Sequence, residues 1–146
     1  VSEGARLHRV FVYGTLKEGF ANFHVNRGRR VPGEFVTVER WPLFVVDPGF
    51  IPWLVQRAGE GFHVHGQVYE VDDAGLRAMD ALEQVDEEGW YTRQVIRVAS
   101  RSGGEPVEVF VYFGAASVID AGAAVAGPLE LFTADQDRRY RSAAAA

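Results

Sequence analysis

The stretch FHVHGQVYEVDDAGLRAMDALE, Phe62 to Glu83, carries two different periods. As far as Val71 it reads as a strand, with His63, His65, Gln67 and Tyr69 alternating onto one face. Asp72 or Asp73 then supplies an N-cap, because a short carboxylate accepts from the unpaired N–H groups of a helix's first turn. Leu76, Met79 and Leu82 follow at helical spacing. Outward from this junction the signals are mostly strand-like. Val10-Phe11-Val12-Tyr13 is a continuous apolar run stopped by Gly14, which suits a buried strand. Glu34 to Trp41 alternates weakly. Leu43 to Val46 and Ile51 to Val55 are short apolar runs bounded by Pro42, Pro48, Gly49 and Pro52. Tyr91 to Ala99 and Val107 to Phe113 are joined through Ser102-Gly103-Gly104, a hairpin signature that makes them antiparallel neighbours. A second, shorter helix is expected from Lys17 toward Arg27. Many short strands and few helices predict an α+β or mainly β barrel-like domain rather than a doubly wound sheet.

The 146 residues fit one domain. Its core is expected at about 9–115, with residues 116–146 left without an assigned structure. Val1 to Arg9 reads as a loose terminus, and Ala143 to Ala146, after the charged stretch Asp135 to Arg141, as a surface cap or frayed end. A formal charge of −5 argues against a partner that is a nucleic acid, whose phosphates call for a basic patch. The absence of cysteine excludes disulfides, thiolate nucleophiles and cysteine-ligated metals or clusters. No apolar run reaches the roughly 18 residues of a membrane span, and no signal-peptide pattern opens the sequence, so a soluble, cytoplasmic protein without a membrane partner is expected. Three Trp, five Tyr and ten Phe make the chain unusually aromatic.

Glu83 is the first candidate for chemistry. On a helix starting near Asp73 it shares a stripe with Leu76 and Met79. A carboxylate there is either desolvated, which raises its pKa, or sits on a fraying last turn and faces water. The helix C-terminus disfavours negative charge as well. The first reading makes a base suited to work near neutral pH, and spacing alone leaves both readings open. In Tyr13-Gly14-Thr15-Leu16-Lys17-Glu18-Gly19 a strand gives way to a turn and a helix start. Exposed N–H groups at such a junction can hold a carboxylate or phosphate, although neither the P-loop nor the dinucleotide glycine pattern is present. An ordinary connection is the alternative. His63 and His65 lack a third ligand, so no metal site is expected. The run Asp86-Glu87-Glu88 is explained by solvation, Ser117 lies in no nucleophile pattern, and His24 on the expected second helix is read as a surface or core residue, with a base as the alternative.

Several of these segments together resemble the γ-glutamylcyclotransferase-like family, in its γ-glutamylamine cyclotransferase or AIG2-like branch. Tyr13-Gly14-Thr15-Leu16 after an apolar strand, followed by Lys17, Gly19 and Asn22, resembles the family's opening motif. Trp41-Pro42-Leu43 and Ile51-Pro52-Trp53-Leu54 resemble its proline-bounded strands, and Gly66 to Asp72 its strand into the acid-bearing helix. Met79-Asp80-Ala81-Leu82-Glu83 matches Leu-Asp-x-x-Glu, Tyr91-Thr92-Arg93 matches Tyr-x-Arg, and Phe110-Val111-Tyr112 matches the late strand. The resemblance covers residues 10 to 113. Met79 stands where leucine is usual, and Phe23 intervenes where the branch carries His after Asn22. It implies a small barrel of mixed or antiparallel strands with flanking helices. It implies Glu83 as catalytic base and acid, and binding of a small γ-glutamyl substrate by Tyr13, Gly14, Thr15, Leu16 and Tyr91. It further implies a monomer that needs no cofactor and releases 5-oxoproline and an amine. Trp53 is a candidate cavity wall or a structural residue. Loss of a γ-glutamyl protecting group, or a non-catalytic binding barrel, are the competing functions.

Overall fold

A computed structural model describes residues 6–145. The apolar run at Val10–Tyr13 needs burial on both faces, and β1 (His8–Val12) receives it at the centre of the sheet. β1 runs antiparallel to β6 (His65–Val71), with Val10 opposite Tyr69, and parallel to β8 (Val107–Gly114), with Val10 opposite Phe110. β8 pairs antiparallel with β7 (Tyr91–Ser100), β7 with β3 (Phe35–Thr37), and β3 with β6. The order β1-β8-β7-β3-β6 therefore returns to β1 and closes a five-stranded mixed barrel, with β2 (Arg29–Arg30) added beside β6. Closure satisfies strand edges that would otherwise stay open. A second, antiparallel sheet has the order β5 (Ile51–Leu54), β4 (Leu43–Val46), β9 (Ala124–Leu129).

Alternation sorts the core. Phe11, Val68, Val109, Val111 and Phe113 join Leu43, Val45 and Leu54 of the second sheet in one cluster. Their neighbours Val10, Val12, Tyr69, Val71 and Tyr112 pack instead beneath Leu76 and Met79 of α1 (Asp73–Leu82). Asp72 is the cap, its side chain accepting from Gly75 N at 2.8 Å. The expected barrel with flanking helices and the β7–β8 hairpin are both present, the hairpin loop using left-handed Gly103 and Gly104.

Four expectations need correction. The segment after Gly14 is not a helix from Lys17 to Arg27. It is a chain of i to i+3 turns, with one 3-10 turn at Phe23–Val25. Gly19 is left-handed, and Lys17 and Asn26 turn inward so that their side chains bond Phe132 O and Leu16 O, arrangements a continuous helix would break. Glu34 to Trp41 contributes only three strand residues, Phe35–Thr37. The loose terminus does not extend to Arg9: His8 and Arg9 are paired in β1, His8 also meeting Asp73 at 2.6 Å, while residues 1–5 lie outside the described part. The region beyond Gly114 is structured. It forms α2 (Ala116–Asp120), β9 and α3 (Ala134–Ala145), and the stretch read as a frayed cap is helix α3 with Asp137 buried in it; residue 146 lies outside the described part. Among the described residues no helix is long and apolar enough to cross a membrane.

Candidate active site

Where β1 ends, the following turn, the start of β5, the end of α1, the start of β7 and helix α3 enclose a cavity of about 240 Å³. Tyr13, Gly14, Thr15, Leu16, Glu83 and Tyr91, named separately from the sequence, all line it. Asn22, Ile51, Pro52, Gln84, Trp90 and Tyr140 complete much of the wall.

Glu83 is the C-cap of α1, and Met79 ahead of it on the same stripe is fully buried. Its carboxylate is half-buried, reaching solvent through the cavity, and makes no hydrogen bond to protein among the described residues. Withdrawal from bulk water pushes its pKa up to about 8. This excludes the reading of a carboxylate facing open water. One turn earlier Asp80 meets Arg93 of β7 and accepts from the Tyr112 hydroxyl of β8 at 2.7 Å. That bond pins the end of α1 to the barrel wall and fixes where Glu83 points.

The turn after β1 lines the same cavity. The backbone N–H groups of Gly14, Thr15 and Leu16 have no protein acceptor among the described residues, and all three residues face the cavity. Three such donors in sequence are open to an anionic group, with no left-handed residue among them. Gly14 does not adopt a left-handed φ. It is needed for space, because a Cβ there would stand 2.7 Å from Pro52 Cγ. The turn is held from beyond: Gln67 Oε1 accepts from Glu18 N at 2.9 Å and from the Tyr69 hydroxyl at 2.8 Å.

The tyrosines differ in what they offer. Tyr13 donates to Tyr112 O at 2.7 Å and Tyr91 donates to Pro52 O, so neither hydroxyl has a free proton to offer. Burial first, and then charge on Glu83 for Tyr13 and on Tyr13 and Glu83 for Tyr91, hold both pKa values well above the usual phenol range. Trp53 stands behind the wall: its indole N–H donates to Ala115 O at 2.9 Å, its ring lies 4.6 Å from that of Tyr91, and Gly114 leaves room for it. His24 and His63 are exposed, and neither they nor His65 reach the cavity. Among the described residues no three His, Cys, Asp or Glu side chains gather as metal ligands. Sequence reading missed Asn22 and Tyr140. Asn22 sat in the quoted motif but received no role, while Tyr140 lies in a region where no motif was found.

The description Gamma-glutamyl cyclotransferase, AIG2-like, belongs to the family that matches residues 10–130. A bovine protein named gamma-glutamylaminecyclotransferase is 40% identical over 112 residues, 73% of this chain and 66% of that protein. An Arabidopsis thaliana relative is 40% identical over 98 residues, 62% of this chain and 51% of its own length, so the chain spans between half and two thirds of these two relatives. The crystal structure of a mouse AIG2-like protein matches with a TM-score of 0.73 at 31% identity, covering 88% of this chain and 89% of that one.

Proposed function

Since the chain belongs to the γ-glutamyl cyclotransferase, AIG2-like family, we propose that it converts a γ-glutamylamine into 5-oxoproline and the free amine. The observation that carries this reading is one cavity of about 240 Å³ lined both by a carboxyl and by a turn of three N–H groups that have no protein partner among the described residues. The N–H groups of Gly14, Thr15 and Leu16 hold the substrate α-carboxylate. That places the α-ammonium toward Glu83. An α-amino group has a reference pKa of roughly 8, and Glu83 lies at about 8. Proton transfer between the two is therefore close to balanced, which is the condition for effective acid–base catalysis.

Glu83 takes one proton from the ammonium. The freed amine attacks the γ-carbonyl carbon, forming the ring C–N bond and placing negative charge on the carbonyl oxygen and positive charge on the ring nitrogen. Collapse of this adduct breaks the bond to the leaving amine, which receives its proton from Glu83. The regenerated carboxylate then accepts the surplus proton of the ring nitrogen and passes it to the freed amine or to water. Nucleophile and electrophile belong to one molecule, so orientation alone can lower the barrier by up to about 7–11 kcal/mol. The chain needs to fold the glutamyl group into its ring-closing pose and move protons at a single site. The name of the bovine relative favours an amine as leaving group over an amino acid.

Incubation with γ-glutamyl-ε-lysine, γ-glutamyl dipeptides and glutathione, followed by assay of 5-oxoproline, tests the reaction and ranks the leaving groups. Glu83→Gln is expected to fold and to release none. Turnover by that variant at more than a few per cent of the wild-type rate would remove Glu83 from the mechanism.

A further inference from the structure

Helix α3 brings a side chain into the cavity from more than a hundred residues away along the chain. Tyr140 lines the wall, and its hydroxyl accepts from Asn22 Nδ2 at 3.1 Å. The same amide nitrogen donates to Thr15 Oγ1 at 2.9 Å. An amide NH2 has two hydrogens and a hydroxyl has one hydrogen and two lone pairs. Asn22 thus uses both hydrogens on lone pairs of the two hydroxyls, and each hydroxyl keeps its own proton, with no protein acceptor for either among the described residues. Thr15 and Tyr140 become two donors held side by side at the rim of the unpaired N–H turn.

We propose that Tyr140 is a substrate-binding residue, donating its hydroxyl proton to the carboxylate held at Gly14–Leu16, and that Asn22 is the positioning residue that turns the Tyr140 and Thr15 hydroxyls toward it. The identity of that carboxylate, the α-carboxylate of a γ-glutamyl substrate or of 5-oxoproline, rests on the cyclotransferase reading; the donor pair does not. The frame around Tyr140 is rigid enough for the role. Asp137, one turn earlier on the same helix, accepts from Ala21 N at 3.0 Å and from Arg141 Nε at 2.9 Å. Lys17 Nζ donates to Phe132 O at 2.7 Å just ahead of the helix. The helix and the turn are thereby locked on both sides of the Tyr140–Asn22 bond. Glu83 is the one ionisable carboxyl in the wall, so an anionic ligand has reason to settle at the donor end and away from it.

Calorimetric titration with 5-oxoproline, and with 2-pyrrolidinone as the same ring without a carboxylate, tests the proposal on wild type, Tyr140→Phe, Asn22→Ala and the double variant. Tyr140→Phe keeps the ring and removes one hydroxyl. It is expected to weaken 5-oxoproline binding by about tenfold, the size of one hydrogen bond to a charged group, and to leave 2-pyrrolidinone unchanged. In the Asn22→Ala background the effect of Tyr140→Phe is expected to shrink to less than about threefold, because the hydroxyl has already lost its orientation. Steady-state assay of Tyr140→Phe should raise KM and leave kcat nearly unaltered. Equal 5-oxoproline affinity in wild type and Tyr140→Phe, an equal loss for 2-pyrrolidinone, or full additivity with Asn22→Ala would each overturn the proposal. A wild-type protein that binds 5-oxoproline through Tyr140 yet forms none from any γ-glutamyl substrate would refute the cyclotransferase reading and leave this one standing.

Discussion

Glu83 is a carboxyl without a partner among the described residues, and its consequence for stability has a definite sign. Its pKa in the folded protein is about 8, against 4.5 for an unburied glutamate. Between these values the folded chain holds a proton that the unfolded chain releases, so stability is fully present below about pH 4.5 and is lost as pH rises toward 8. The cavity gives the carboxyl partial solvent access, which limits the loss to on the order of 2 kcal/mol. Lys17 acts in the opposite sense in a higher window. Burial pushes it down to about 8 from 10.5, so its contribution to stability grows as pH rises from 8 to 10.5. Comparison of two proteins that share Lys17 cancels that term. Glu83→Gln carries no charge at any pH. It should exceed wild type in stability by about 2 kcal/mol at pH 8.5, with the gap shrinking to within about 0.5 kcal/mol at pH 4.5. Urea melts at the two pH values measure this, and a gap independent of pH would show that Glu83 is not desolvated. A residue that costs stability while it is ionised is what a working base in a partly desolvated cavity looks like.

At the scale of one element, α1 was legible in its start and its stripe. A capping aspartate followed by Leu76 and Met79 at helical spacing predicts the helix, and the stripe continues to Glu83. What spacing could not decide is whether the last turn frays outward or is held in. That depends on Asp80 meeting Arg93 and Tyr112, which belong to strands brought alongside only by barrel closure. It depends also on how the helix stops. Gln84 follows Glu83 with φ 54°, in the left-handed region where glycine is the usual terminator. A side chain at that φ costs about 1–2 kcal/mol, part of which glycine gives back as backbone entropy in the unfolded chain. Gln84 lines the cavity, so the strained residue is one the site keeps. Gln84→Gly is expected to stabilise the fold by about 0.5–1 kcal/mol, and Gln84→Ala, which retains the left-handed strain, to give no gain. Thermal and urea melts of the pair separate backbone relief from loss of the side chain. Equal effects in the two variants would place the cost in the side chain instead.

Across the whole molecule, local signals did well wherever an element is defined by its own residues. The runs at Val10–Tyr13, Leu43–Val46, Ile51–Val55 and the Ser102-Gly103-Gly104 hairpin became strands and their turn. They failed where distant parts impose the conformation. A helix was expected from Lys17 toward Arg27, yet the side chains of Lys17 and Asn26 serve as inward struts and the backbone bends to suit them. The six cavity residues named from sequence fall in two motifs and one strand start, which point to a site through their order along the chain and not singly. Tyr140 was invisible, since Asn22 and Tyr140 are separated by 118 residues and neither has meaning without the other. The tail therefore belongs to the site and acts as its outer brace. Asp137 is the brace's anchor, only 4% exposed and accepting from Ala21 N and Arg141. Removing it leaves the Ala21 N–H without its acceptor and one side of the α3 contact open. Asp137→Ala should lose about 2–3 kcal/mol of stability in urea melts. Arg138→Ala, which removes a solvent-exposed partner of Asp135 on the same helix, should stay within about 0.5 kcal/mol of wild type. Hydrogen exchange gives the structural half of the test. In Asp137→Ala the amides between Gly19 and Asn26 should exchange faster, while those of Val10 to Val12 at the barrel centre keep their protection relative to global unfolding. An Asp137→Ala protein as stable as wild type, with unchanged exchange in the turn, would mean that α3 rests on the barrel without bracing the cavity.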